Sequence, residues 1–189
     1  AALSGIKVKR MAQGVKLANP ALTVLACGGD GDGFAIGLGH TIHAMRRDLD
    51  ITYIVMDNHV YGLTKGQVSP RSDRGFVTKT SPDGSAETPV SALELALSAG
   101  AGFVAQGFSK ELNELASLIE AGIRHVGFSF INVFSPCVTF NKVNTYDWYS
   151  QRLQKIDDLT GYKRHDRMSA MQRVMETEGL ITGLIYQRK

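Results

Sequence analysis

Two short stretches combine residue types that could hold a charged ligand: Cys27-Gly28-Gly29-Asp30-Gly31-Asp32-Gly33 and Met56-Asp57-Asn58-His59-Val60. Glycines let a backbone pass close to a phosphate, and the free N–H groups at the start of a following helix favour an anion. Carboxylates in the same turn repel a bare phosphate. A divalent cation between them reverses the sign. Magnesium takes oxygen ligands in octahedral geometry, one or two from carboxylates and the rest from phosphate, carbonyl and water. Asp30, the amide oxygen of Asn58 and a backbone carbonyl at Val60 would supply the protein's share.

For this to work, elements far apart in sequence must bring the two stretches together. Residues 22–27, LTVLAC, form a short apolar run that ends in glycines and predicts a strand. Phe34, Leu38, Ile42 and Met45 recur at the helical period, predicting a helix that starts near Gly33 and carries Arg46 and Arg47 in its last turn. Residues 52–56, TYIVM, predict a second strand. If both strands lie in one sheet, a right-handed crossover puts their ends at the same carboxyl edge, where open α/β sheets bind ligands.

From Asn58 to about Pro89 the composition is that of a loop, and a loop so long is usually functional. Beyond it the pattern predicts a helix over 90–99 and a short strand at 103–105. A second helix runs through Leu112, Leu115, Ile119 and Ile123 with Ser109 as its cap, followed by a strand over 126–134 and a helix near 167–177. This alternation predicts an α/β fold, a mostly parallel sheet with helices on both faces. Residues 1–189 read as one domain, with 135–189 as an extension for packing or for a partner.

GDGDG admits rival readings. A calcium loop starting at Asp30 would need an acid at its twelfth position, which is Thr41. Gly31, Gly33 and Gly37 do not keep the dinucleotide fingerprint. An ordinary glycine-rich turn with solvated acids stays open for GDG alone, and the Asp57-Asn58 pair weighs against it. Elsewhere, Cys27 reads as a small buried residue, and Arg71 and Arg74 as surface charge, with contact to an anion or a partner as the alternative. Tyr146, Trp148 and Tyr149 read as packing or as contact between subunits, and His40 and His43 as packing or cofactor neighbours rather than a metal pair.

The 21 basic and 18 acidic residues are scattered, which gives no stripe for nucleic acid. No apolar run is long enough to cross a bilayer, and no secretory signal stands at the start. Two cysteines are too few for a disulfide scaffold, so a cytoplasmic compartment is the expectation.

The Gly29-Asp30-Gly31 turn followed by Asn58 resembles the thiamine-diphosphate motif, in which an aspartate, an asparagine and a carbonyl two residues later hold magnesium. Further segments narrow the resemblance: Gly14 to Pro20, Tyr61-Gly62-Leu63-Thr64-Lys65-Gly66-Gln67, Ser69-Pro70, Ser135-Pro136-Cys137 and Asn144-Thr145-Tyr146. They are similar to the β subunit of 2-oxoacid:ferredoxin oxidoreductases, over nearly the whole chain. The resemblance implies a thiamine-diphosphate-binding fold and the oxidative decarboxylation of a 2-oxoacid to acyl-CoA and carbon dioxide, with electrons passed to ferredoxin.

It further implies cofactor contacts from Gly29, Gly31, Asp32, Asn58, Leu63 and Thr64, and magnesium held by Asp30, Asn58 and Val60. Lys65 would meet the substrate carboxylate, and Cys137 would be one ligand of a [4Fe-4S] cluster. The family's three other cluster cysteines are absent here, so the chain is expected to be a fragment or one piece of an assembly. The implied partners are an α subunit, ferredoxin, coenzyme A and the 2-oxoacid, in a hetero-oligomer outside which the isolated chain is inactive. Two other readings remain: a non-redox thiamine-diphosphate lyase or synthase, and a non-catalytic assembly fragment.

Overall fold

The apolar runs pair as one six-stranded sheet in the order β1-β2-β4-β3-β6-β5 in a computed structural model, which describes residues 5–189, with side chains from Met11 onward. The strands are β1 (Leu25–Gly29), β2 (Ile51–Asp57), β3 (Phe103–Phe108), β4 (Phe128–Phe134), β5 (Gln154–Lys155) and β6 (Ile181–Gln187). All neighbours are parallel except β3 and β6. The helices are α1 (Gly5–Ala18), α2 (Asp30–Phe34), α3 (Leu38–Arg47), α4 (Ala92–Ser98), α5 (Leu112–Arg124), α6 (Tyr146–Ser150) and α7 (Arg167–Glu176).

Strand side chains alternate between faces, so each central strand buries two different sets. Tyr53, Val55, Val104, Phe128 and Phe130 pack with Ala12 of α1, Met45 of α3, Leu93 and Leu97 of α4, and Val174 of α7. Ile54, Phe103, Ala105, Ile131 and Val133 face the other way, onto Leu118 of α5. Each large side chain buried in these layers contributes roughly 1.5–3 kcal/mol. The expected α/β sheet with helices on both faces is therefore found.

Several expectations shift in detail. β1 begins at Leu25 rather than at residue 22 and continues into its glycines, where Gly28 and Gly29 pair with Val55 and Met56. The single helix expected from near Gly33 is two: α2 starts at Asp30, and the chain breaks at Ala35 (φ −105°, ψ −104°) before α3. Ser109 is not the cap of α5, which starts at Leu112 after Glu111; the Ser109 hydroxyl lies 3.2 Å from that of Tyr146 instead. Cys27 is exposed rather than buried, because α5 covers β2, β3 and β4 but leaves that face of the edge strand bare, with Leu25 and Met56 also open. α1, α6, β5 and β6 were not anticipated. Among the described residues no helix is long and apolar enough to cross a membrane.

Candidate functional site

Asp30 and Asp57 stand at the carboxyl ends of two paired parallel strands, one residue beyond the Gly29–Met56 pair in β1 and at the last position of β2. The crossover through α2 and α3 thus joins the two sequence stretches, as their spacing predicted. Gly31 allows a tight approach between them: a Cβ there would meet the Tyr61 ring at 2.0 Å, and the Tyr61 hydroxyl donates to the Gly31 carbonyl at 3.1 Å. At Gly29, in contrast, an added Cβ would meet nothing within 4 Å among the described residues.

Asp30 is buried and, among the described residues, accepts one hydrogen bond, from the Ser69 hydroxyl to Oδ2 at 2.5 Å. Burial first, and then the charge of Asp57, push its carboxyl up to about 6, against the pull of Ser69, His59 and Arg71. Asn58 turns its amide oxygen back to the Val60 N–H at 3.0 Å, forming an Asx turn that leaves the oxygen's second lone pair available. Between them His59 adopts a left-handed backbone (φ 59°), which is unusual for a residue with a Cβ. Asp32 is half-buried beside the same turn.

Asp57 behaves differently. Arg71 Nε donates to its Oδ2 at 2.9 Å, Asn132 Nδ2 donates to the same oxygen at 3.0 Å, and His59 Nε2 lies 3.4 Å from Oδ1. The His59 contact is a charge pairing rather than an aligned hydrogen bond, since among the described residues Asp57 Oδ1 and His59 Nδ1 are both left without one. Burial alone would raise Asp57; the Arg71 and His59 charges hold it well below the usual carboxylate range. Burial likewise works against a charge on His59, but Asp57 and then Asp73 raise it to about 9, so it is a cation at neutral pH. Protonated, it directs Nε2–H toward Asp57 or the Tyr149 hydroxyl, and its 3.3 Å approach to Arg71 joins two cations around one carboxylate.

Arg71 is therefore not the surface charge expected of it. It is half-buried in this pair, its side chain 12% exposed, and also donates to the Val90 carbonyl. Asp57 consequently belongs to the framework of the site and is not free for a ligand. Asn132 and Gln106 continue the polar row across β4 and β3, with Asn132 donating to Gln106 at 2.8 Å and Gln106 donating to the Gly179 and Ile181 carbonyls. Sequence reasoning missed Arg71, Ser69, Ser72, Asn132 and Gln106 as parts of the site. One signal was available: Asn132 interrupts an apolar strand on the side that Phe128 and Phe130 also take.

Leu63, Thr64, Lys65 and Cys137 lie on exposed or half-buried turns. Tyr61 to Gln67 closes a small hairpin, with Leu63 98% exposed at its tip, Thr64 donating to the Tyr61 carbonyl, and Lys65 exposed at φ 69°. Cys137 opens a turn closed by the Asn141 N–H, and Asn141 Nδ2 reaches the Asn58 carbonyl at 3.4 Å. Asn144 then donates to Asp73 at 2.9 Å, which ties this turn to the framework around His59. Tyr149 is buried and stacks on Phe134 at 4.5 Å, so the packing role expected of it holds. Among the described residues no group of three or more His, Cys, Asp and Glu side chains could hold a metal. The donor set anticipated for magnesium has a single carboxylate.

The parallel sheet with its two strand-end stretches is an α/β architecture, and the chain belongs to the thiamine pyrophosphate enzyme family: the model of its C-terminal TPP-binding domain matches residues 10–133. A second model, for the C-terminal part of the pyruvate ferredoxin oxidoreductase β chain, matches residues 137–189. Within that family the likeness is to β subunits of 2-oxoacid:ferredoxin oxidoreductases. The β subunit of that name from Sulfolobus is 45% identical over 148 residues, 78% of this chain and 48% of the relative. The 2-oxoglutarate synthase subunit KorB of Methanothermobacter marburgensis is 44% identical over 129 residues, 68% of this chain and 45% of the relative. A solved 2-oxoglutarate:ferredoxin oxidoreductase from Magnetococcus marinus, with 2-oxoglutarate, coenzyme A and succinyl-CoA bound, superposes with a TM-score of 0.94 at 40% identity. That match covers 99% of this chain and 64% of the solved one. The chain thus spans about half the length of the curated relatives it matches.

Proposed function

We propose that this chain grips thiamine diphosphate and magnesium in an oxidoreductase that converts a 2-oxoacid and coenzyme A to acyl-CoA and carbon dioxide, with ferredoxin as electron acceptor. The observation that carries this reading is the unequal treatment of the two strand-end carboxylates. Asp57 sits against two cations, Arg71 and His59, although its Oδ1 accepts no aligned hydrogen bond, whereas among the described residues buried Asp30 meets one hydroxyl and no salt-bridge partner. A cation completes that balance.

The residues fit the group. Asp30, the Asn58 amide oxygen and the Val60 carbonyl offer three oxygens of the kind magnesium takes, leaving diphosphate and water to fill the octahedron. Gly29 leaves open space for a phosphate, and Gly31 lets the Asp30-Gly31-Asp32 turn approach Tyr61. When bound, thiamine diphosphate supplies the nucleophilic carbon and electron sink for decarboxylation. The chain's own part is to anchor and orient: Asp32, Leu63 and Thr64 line the approach to the diphosphate, and Lys65 offers its ammonium to the substrate carboxylate. Exposure of the Leu63–Lys65 tip suits a loop that is covered by a partner subunit in the assembled enzyme.

An iron–sulfur cluster does not fit these residues by themselves. Such clusters need a full set of ligands, usually four thiolates, and the sequence has two cysteines, of which Cys27 lies on the bare face of β1. Cys137, tied through Asn141 to Asn58, is the candidate for a single ligand beside the cofactor. On the same reading residues 1–189 act as one domain, because β6 from the C-terminal segment pairs with β3.

Calorimetric titration of the assembled enzyme with thiamine diphosphate, with and without magnesium, tests the proposal. Binding should require the metal, and Asp30→Ala should abolish that requirement together with tight binding. Metal-independent binding, or unchanged affinity in the variant, would sink it.

A further inference from the structure

Ser69 and Ser72 belong to the long loop, yet both are buried, and together they link the two strand ends. The Ser69 hydroxyl donates to Asp30 Oδ2 at 2.5 Å, and the Ser72 hydroxyl donates to the His59 carbonyl at 2.6 Å. The two serines also hold each other: the Ser69 N–H donates to Ser72 Oγ at 2.9 Å, and the Ser72 N–H donates to the Ser69 carbonyl at 3.0 Å. A continuous chain of hydrogen bonds therefore runs from the carboxylate after β1 to the backbone between Asn58 and Val60.

The direction of the Ser69 bond is determined. An ionised carboxylate only accepts, and the Arg71 N–H donates to Ser69 Oγ at 3.2 Å, so the single hydroxyl hydrogen points at Asp30. Oδ2 is thereby engaged, while Oδ1 has no hydrogen bond among the described residues. A cation chelated by both oxygens would have to share Oδ2 with the hydroxyl, which already holds one of that oxygen's two lone pairs. A cation bound through Oδ1 alone would not.

The geometry points to Ser69 as a positioning residue that keeps Asp30 a one-oxygen ligand and so biases the site toward magnesium over calcium. This rests on the cofactor reading above. Magnesium demands near-ideal octahedral geometry with short bonds, whereas calcium accepts six to eight ligands, including two-oxygen carboxylates, at longer distances. Freeing Oδ2 relaxes the restraint that disfavours two-oxygen binding by the larger ion. Removing such a partner of a metal ligand typically costs about 10–100-fold in affinity, and here the loss should fall on magnesium.

The test uses the assembled enzyme stripped of cofactor, with thiamine diphosphate binding titrated against magnesium and, separately, calcium. In Ser69→Ala the ratio of half-saturating calcium to half-saturating magnesium should fall at least about ten-fold, while Ser69→Thr, which keeps the hydroxyl, should retain the wild-type ratio. A uniform weakening that leaves the ratio unchanged would be the mark of a merely structural role and would overturn the proposal. So would a Thr variant whose ratio shifts toward calcium, a result readable even if the Ala variant fails to fold. If the wild-type enzyme itself binds thiamine diphosphate without needing metal, the cofactor reading fails and takes this inference with it.

Discussion

Asp30 and Asp57 are the same residue type, buried at the ends of neighbouring strands, and the molecule treats them in opposite ways. At the end of β2, a guanidinium, an imidazolium and an amide surround Asp57 and hold it ionised. At the end of β1, one hydroxyl meets Asp30, and burial beside Asp57 keeps its carboxyl up near 6. A buried charge costs several kcal/mol unless it is paired. The matched carboxylate is therefore framework, and the unmatched one is where a cation would be drawn. Conspicuous spacing in the sequence groups Asp57 with Asn58; the contacts assign it to Arg71.

The harshest way to break the comparison is Asp57→Ala. It leaves the half-buried Arg71 and the buried His59 without their carboxylate, so denaturant unfolding should show a loss of about 3–5 kcal/mol. A loss under about 1 kcal/mol would mean that the pair is not holding the site together.

The next effect is a pH dependence of opposite sign at the two carboxylates. Asp30 titrates at about 6 when folded against 3.8 ordinarily, so between those values the folded chain holds a proton that the unfolded chain has released. Its contribution to stability therefore falls as pH rises from about 4 to about 6 and stays low above that, by at most about 3 kcal/mol. Asp57, shifted downward, contributes stability that is present above 3.8 and lost as pH falls. Unfolding free energies of the metal-free chain at pH 4.5, 5.5 and 7 should show Asp30→Asn gaining on wild type as pH rises; a constant difference would refute the assignment.

Gly31→Ala sharpens the comparison without touching either carboxylate. The added methyl pushes Tyr61 from the turn that joins the two strand ends, at a cost of about 1–3 kcal/mol. Thermal melting would check the cost, and loss of thiamine diphosphate affinity should accompany it. The smallest effect belongs to Leu63→Ala, at the exposed hairpin tip. Stability should stay within about 0.5 kcal/mol, and any deficit should appear instead in assembly of the complex or in cofactor affinity, measured by sedimentation and titration.

The sequence by itself determined the alternation of strands and helices and the meeting of GDGD with Asn58 at one sheet edge. Periodicity and crossover handedness are local rules, and both are written in residues 22–58. It also determined the glycine at position 31, though not the Tyr61 ring that requires it. Tertiary structure alone decided the rest of the site. Ser69, Arg71 and Ser72 sit in a loop whose composition says only that it is polar, and Asn141 follows in a turn of no regular period. Their roles arise because folding carries that loop over the carboxyl edge, where each donor meets a buried acceptor. Cys27 departs from expectation for the same reason: whether an edge strand's outer face is covered depends on where α5 lies, and one strand's pattern does not contain that. Hydrogen-bond partners distant in sequence leave no periodic trace, so the charge balance that separates Asp30 from Asp57 became visible only in three dimensions.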